Sequence, residues 1–266
     1  MLVCVVNVSA GRAGPALHAV ETAAGDDLLD LHADPHHNRS VLTLLGEEAP
    51  RRVAIAALGA IDLRRHSGVH PRLGAVDVVP FVDLDGHDAL AEAAAERYCA
   101  WSGASLQVPV FRYGGAAPDL PSVRRGAYRW LRPAAGPGLP HPTAGATAVG
   151  ARRPLVAYNV WLAVPDLELA RTVARAVRGP ALRALGLAVG DRVQVSMNLV
   201  DPLRVGPAGA HDAVAARVAV AGAELVGLVP GGVLDAVPED RWEELDLAAD
   251  RTVEARITRH ERAAPR

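Results

Sequence analysis

The 266-residue chain contains no lysine, so all 28 of its basic residues are arginine. That absence removes every mechanism built on a lysine amine: Schiff bases, pyridoxal phosphate chemistry and the phosphate-loop lysine. Arginine leaves planar forks suited to carboxylates. Aromatic residues make up only 4% of the chain and the formal net charge is −2, so neither a stacking surface nor a basic face for nucleic acid is expected. The apolar runs are too short to span a bilayer. No basic segment precedes the first apolar run, so no secretory signal is read and a cytoplasmic location is expected. The two cysteines, Cys4 and Cys99, have neither a metal-ligand nor a CxxC spacing and read as buried thiols.

Half of the residues are apolar, enough for a sizeable core. Hydrophobic periodicity predicts strands at 2–8, 28–32, 40–45, 76–82 and 106–113, with helices at 15–24, 50–63 and 88–101. The order β-α-β-β-α-β then repeats: strand 154–162, helix 167–177, strands 182–189 and 192–200 around Gly190-Asp191, helix 213–221 and strand 223–229. The expected fold is α+β, with two ferredoxin-like βαββαβ subdomains, each a sheet with helices on one face. The expected division is 1–152 and 153–266, with the Pro/Gly-rich run 133–145 as a linker. A charged tail from about Pro238 is expected to form a peripheral helix or to fray.

Polar residues concentrate in four segments: Asn7-Val-Ser-Ala-Gly-Arg12, the loop from His32 to Arg39, the segment from His66 to Asp77, and Gly145-Ala-Thr-Ala-Val-Gly-Ala-Arg152 with nearby Tyr158-Asn159. The third places His66, His70, Arg72 and Asp77 around Gly68 and Pro71, between a helix and a strand. Core packing has no use for that mixture; a site that moves protons and holds carboxylates does. A solvated loop remains the plain alternative. His66 and His70 are four apart, but Gly68 and Pro71 make the segment a loop, and no HExxH pattern accompanies it. No resident metal is expected. Acid–base work by one imidazole fits better, because histidine exchanges a proton near neutral pH. Gly145–Gly150 lacks the lysine of a phosphate loop and reads as a tight connection into the next strand.

Collinear segments from residue 4 to 230 carry a resemblance. They are Cys4-Val-Val-Asn-Val-Ser-Ala-Gly-Arg12, Asn38-Arg39-Ser40-Val41, Ile61-Asp62-Leu63 with His66-x-Gly-x-His70-Pro-Arg72-x-Gly-Ala-x-Asp77, and Pro109-Val-Phe-x-Tyr-Gly114. Gly145-Ala-Thr-x-x-Gly-Ala-Arg152, Ala157-Tyr-Asn-Val-x-Leu162, Gln194-Val-Ser-Met-Asn-Leu199 and Glu224-Leu-Val-Gly-Leu-Val-Pro230 follow. Together they resemble the formiminotransferase family, glutamate formimidoyltransferases that use tetrahydrofolate as co-substrate. The resemblance implies a transferase with its site in a groove or tunnel between two subdomains. It implies that His70 is the catalytic histidine, and that the folate-contacting stretch corresponds to Gly136, Pro137, Gly138, Leu139, Pro140, His141, Pro142, Thr143, Ala144 and Gly145.

The same resemblance implies transfer of the formimino group of N-formimino-L-glutamate to N5 of tetrahydrofolate, in histidine degradation and one-carbon metabolism. Arg39 and Arg72 are the candidates to hold the glutamate carboxylates, and His32, Asp34 and Asp77 the candidates to orient or tune His70. A homodimer is expected by analogy. A separate cyclodeaminase is expected to act on the product, since bifunctional relatives continue into that activity. The chain departs from the family pattern at Ala10, where an acid is usual, in the Pro/Gly-rich run 136–145, and in a shortened link around 178–185. Three rivals stand beside this reading: formyl transfer between N-formylglutamate and tetrahydrofolate, a non-catalytic folate-binding homologue, and a metal-dependent hydrolase built on the histidine loops.

Overall fold

Strand Leu2–Val8 (β1) lies at the centre of a six-stranded sheet, where every second residue points into an apolar core. A computed structural model describes residues 1–69 and 71–263 of the chain. The chain divides into two compact units, Met1–Arg153 and Pro154–Arg266.

In the first unit, β1 leads through helix Pro15–Ala24 (α1) to strands Leu28–Asp34 (β2) and Arg39–Leu45 (β3). Helix Glu48–Ala60 (α2), strand Val76–Asp83 (β4), helix Asp88–Trp101 (α3), strand Val110–Tyr113 (β5), helix Leu120–Gly126 (α4) and strand Thr147–Ala151 (β6) follow. The sheet order is β2-β3-β1-β4-β6-β5. Its first four strands are antiparallel neighbours in the split βαβ arrangement, and β6 pairs in parallel with both β4 and β5. Cys4, Val6 and Val8 of β1 and Leu42 and Leu44 of β3 face the core with Val20 of α1, Val53 and Ala57 of α2 and Tyr98 of α3. On the opposite face, around β4, β6 and β5, Val78, Phe111 and Ala148 pack against Val123 of α4.

The second unit repeats the arrangement on four strands. Strand Val156–Leu162 (β7), helix Leu167–Val177 (α5), strands Leu182–Val189 (β8) and Arg192–Leu199 (β9), helix Pro207–Ala215 (α6) and strand Val220–Val226 (β10) give the order β10-β7-β9-β8. All of its neighbours are antiparallel. Helices Gly231–Leu234 (α7) and Val253–Ala263 (α8) complete the chain. Tyr158, Val160, Val195 and Met197 meet Val173 of α5 and Val214 of α6 in its core. The α+β class, with two sheet-and-helix units, follows. Among the described residues no helix is long and apolar enough to cross a membrane.

Four sequence expectations are corrected. The Gly145–Gly150 stretch is not a mere connection: from Thr147 it is part of strand β6, held between β4 and β5, and its small side chains and two glycines resembled a turn more than a ladder. The Pro/Gly-rich run 133–145 is not a free linker, because Val110 exchanges hydrogen bonds with Ala134 and Ala135 and so ties the run to β5. The strand expected at 106–113 begins only at Val110, since α3 runs on into a wide turn at Ser102–Leu106 and Pro109 has no N–H to donate. The tail beyond Pro238 is anchored rather than peripheral: Leu245 and Leu247 enter the core, and the Tyr158 hydroxyl donates to the Leu245 carbonyl at 2.9 Å.

Candidate active site

The site begins with a break in a ladder. Between β1 and β4 the register shifts, with Asn7 opposite Val78 and Val8 opposite Val76, so Asp77 is the extra residue of a β-bulge. A bulge re-aims a side chain, and this one turns the Asp77 carboxylate toward three arginines. Arg124 of α4 meets it bidentately, at 3.1 Å to Oδ1 and 2.6 Å to Oδ2. Arg39 of β3 lies 3.6 Å from Oδ2 and donates to Asn7 Oδ1 at 2.7 and 3.2 Å. The Leu73 backbone N–H donates to Oδ1 at 2.7 Å, and a third Arg124 bond reaches the Pro71 carbonyl at 3.0 Å. Asp77 and Arg124 therefore fix the backbone on the C-terminal side of position 70.

The other side of the segment is clamped by the β2–β3 hairpin. Asn38 takes a left-handed φ of 47°, a conformation asparagine tolerates better than most residues. Its side chain accepts from Gly11 N–H at 3.0 Å and donates to the Ser67 carbonyl at 2.9 Å. Its carbonyl lies 3.2 Å from His66 Nε2, while Arg72 contacts His66 Nδ1. The same Arg72 nitrogen also lies 2.9 Å from His66 Nε2, so the guanidinium, which only donates, sits against the edge of the imidazole. Arg72 also donates to the Gly68 carbonyl at 3.0 Å. A β-carbon at Gly68 would collide with the His37 carbonyl, which is why the loop and hairpin can approach so closely.

The electrostatics follow from this packing. Burial alone would push the Asp77 carboxyl up; the charges of Arg39 and Arg124, with the Arg124 and Leu73 hydrogen bonds, outweigh it and hold it below the usual carboxylate range. Burial pulls Arg39 down to about 10, against the attraction of Asp77 and with repulsion from Arg124 and Arg72. Burial and the Arg72 charge lower His66, so the imidazole is held neutral. Burial works to raise Asp34, yet hydrogen bonds from the His37 ring and from the His36 and His37 N–H groups bring it to about 2. Arg39, Arg72 and Arg124 thus surround one buried carboxylate with an excess of two positive charges, an arrangement that attracts carboxylate groups.

Of the residues singled out from sequence, His70 lies outside the described residues; Val69 and Pro71 on either side of it are described. Arg39, Arg72 and Asp77 come together, Arg39 and Arg72 already holding the internal partners given above. His32 sits on β2 opposite Val41. Asp34 is engaged within the hairpin by His36 and His37. In the 136–145 stretch, His141 and Gly145 exchange backbone bonds and His141 Nδ1 accepts from Ala144 N–H at 3.1 Å, while Gly138, Leu139, Pro140 and Pro142 are exposed. Among the described residues the histidine loops assemble no metal-ligand cluster; the grouping found is Asp83, Asp85 and His87, where the Met1 ammonium pairs with both acids. A cavity of about 490 Å³ lies wholly in the second unit, lined by Pro180, Leu182, Val205 and Val237 among others, and contains none of the polar motif residues.

Sequence reading missed Arg124 and the bracing role of Asn38. The start of α4 is legible, because Asp119 caps it by accepting from Ser122 N–H at 2.9 Å and Pro121 lies in its first turn. Nothing local links Arg124 to a carboxylate 47 positions away.

Comparison with known proteins agrees with these segments. Residues 1–152 match the family model described as the formiminotransferase domain, N-terminal subdomain. The glutamate formimidoyltransferase of Streptococcus pyogenes serotype M1 is 34% identical, over 89% of this chain and 91% of its own length. The glutamate formimidoyltransferase of Thermoplasma acidophilum is 32% identical, over 85% and 87%. The formimidoyltransferase-cyclodeaminase of Sus scrofa is 33% identical, over 85% of this chain and half of that larger protein. With the bulged Asp77, the arginines around it and the braced 66–72 loop all lying in the matched segments, the chain belongs to the formiminotransferase family.

Proposed function

We propose that this chain is a glutamate formimidoyltransferase, a transferase that moves the formimino group of N-formimino-L-glutamate to N5 of tetrahydrofolate. The observation that carries the substrate class is the excess positive charge of Arg39, Arg72 and Arg124 around the single buried carboxylate of Asp77. A glutamate-derived donor brings two carboxylates, and guanidinium groups held in place bind such groups without further ordering. The names of the Streptococcus pyogenes and Thermoplasma acidophilum relatives support the same reading.

In the proposed reaction the lone pair of N5 attacks the amidine carbon and forms a tetrahedral intermediate. A proton leaves N5 and another reaches the glutamate nitrogen as its bond to carbon breaks, giving glutamate and 5-formiminotetrahydrofolate. His70 is the proposed carrier of that proton, taking it from one nitrogen and delivering it to the other, a role typically worth about 10²–10⁴-fold. The braced backbone on either side of position 70 supports this role, because a base must be held against its substrate. The folate co-substrate is proposed to lie along 136–145. A cytoplasmic homodimer whose product passes to a cyclodeaminase activity completes the proposal.

The test is glutamate release from N-formimino-L-glutamate run beside N-formyl-L-glutamate, each with tetrahydrofolate. Preference for the formimino donor by more than about 10-fold is expected, and such a margin corresponds to about 1.4 kcal/mol of transition-state discrimination. Preference for the formyl donor would replace the substrate in this proposal.

A further inference from the structure

Helix α4 is only seven residues long, yet both of its ends are fixed. Asp119 caps its start, and Val123 is fully buried beside Val78 and Phe111. At its end the N–H groups of Arg129, Trp130 and Leu131 converge on the Gly126 carbonyl at 2.9, 3.1 and 3.0 Å. Tyr128, inside that turn, takes a left-handed φ of 61° and packs its ring edge-on against Phe111, with centroids 5.0 Å apart. A bulky side chain holds such a backbone only where its surroundings over-determine it, and strain of this kind collects at functional sites.

What this mount presents is the guanidinium of Arg124. The next residue, Arg125, is exposed and meets the Ser122 hydroxyl at 3.0 Å. Arg124 divides its fork instead. Its Nη2 donates to Asp77 Oδ2 at 2.6 Å, while Nη1 donates both to Asp77 Oδ1 at 3.1 Å and to the Pro71 carbonyl at 3.0 Å. Both Nη1 hydrogens are thus committed within the chain. Neither hydrogen-bond satisfaction nor charge pairing demands the bond to Pro71. Pro71 is exposed, so water serves its carbonyl as well, and the Asp77 carboxylate is already paired through the other two bonds. The consequence of the bond is geometric: it sets how far the 66–72 loop stands from the bulge on β4.

We propose that Arg124 is a positioning residue for formimino transfer, its one guanidinium shared between Asp77 and the Pro71 carbonyl so that the loop bearing the proposed proton carrier is held in register with the bulge. Arg124 itself takes no donor carboxylate; that task stays with Arg39 and Arg72. The assignment rests on the proposed transferase activity with His70 as its proton carrier, and it makes Arg124 a determinant of turnover rather than of donor affinity.

The test compares full-length wild type with Arg124→Ala and Arg124→Lys, reading kcat and KM for N-formimino-L-glutamate and tetrahydrofolate well below each protein's Tm. Expected is a loss of kcat of about 10- to 100-fold in both variants with both KM values within about twofold of wild type. Lysine keeps the charge but lacks the fork that reaches two acceptors at once, so Arg124→Lys should recover Tm without recovering kcat. Wild-type kcat in the folded variants would overturn the assignment, as would recovery of kcat together with Tm in Arg124→Lys. A raised KM for the donor with kcat intact would make Arg124 a carboxylate ligand, and failure of both variants to fold would make it a folding residue; either overturns the assignment. All of these leave the transferase reading standing. Wild type that releases no glutamate would remove that reading and this inference together.

Discussion

Arg124 and Asp77, 47 positions apart, form a bidentate pair with Nη2 2.6 Å from Oδ2, and the same guanidinium holds the Pro71 carbonyl at 3.0 Å. One helix residue thus reads both the bulge on β4 and the loop that carries the proposed acid–base residue. The carboxylate is almost fully buried, so its charge is necessary to the arginines around it.

Asp77→Asn removes that charge and leaves the part-buried Arg39 and Arg124 without the Asp77 counter-charge. A loss of about 3–5 kcal/mol in unfolding free energy is expected, read by urea titration. Because the Asp77 carboxyl is held below its ordinary range, its contribution is present above the unfolded carboxylate pKa and is lost as pH falls through the folded one. Asp34, brought to about 2, acts in the same direction. Wild-type stability should therefore decline in the acid range from roughly pH 4 downward, and Asp77→Asn should show a shallower decline.

The contact of Arg72 with His66 predicts a histidine that resists protonation. His66 should titrate below the ordinary histidine value in a proton NMR experiment, and Arg72→Ala should move it upward by removing the neighbouring charge. The lowered value makes the neutral ring the stabilising form, so this contribution is present above the unfolded pKa and lost as pH falls through the folded one. An unchanged His66 titration in Arg72→Ala would separate the two side chains in solution.

In the second unit, Tyr158→Phe should cost about 1–2 kcal/mol by leaving the buried Leu245 carbonyl without its donor. Thermal unfolding measures this directly. No change would mean that the segment following Pro238 is not anchored through Tyr158.

Much of the fold was legible because its signals are local. The apolar run Leu2–Val8 and the Pro-led periodicity of Pro15–Ala24 define β1 and α1 over their full lengths. The turn at Gly190-Asp191 likewise marks the β8–β9 hairpin, with Gly190 at a φ of 63°. The strand β6 was hidden because Thr147–Ala151 is built of small residues, whose strand character comes from neighbours on both sides rather than from propensity. The helix expected at 50–63 ends at Ala60, since Asp62 caps a separate turn by accepting from Arg64 N–H. Within the site, the polarity of the 66–77 segment identified the loop. Its bracing by Arg124 and Asn38 depends on a bulge and a long-range approach, neither of which leaves a mark in local sequence.

The central claim is that a histidine held in this braced, arginine-rich loop carries out folate-dependent formimino transfer. The measurement that tests it most directly is the rate of glutamate release from N-formimino-L-glutamate by wild type and by His70→Asn, with and without tetrahydrofolate, together with tetrahydrofolate affinity for both proteins. The account predicts release only when tetrahydrofolate is present, a turnover at least about 10²-fold lower in His70→Asn, and nearly equal folate affinities. Near-normal turnover in the variant, or release by wild type without tetrahydrofolate, would contradict it.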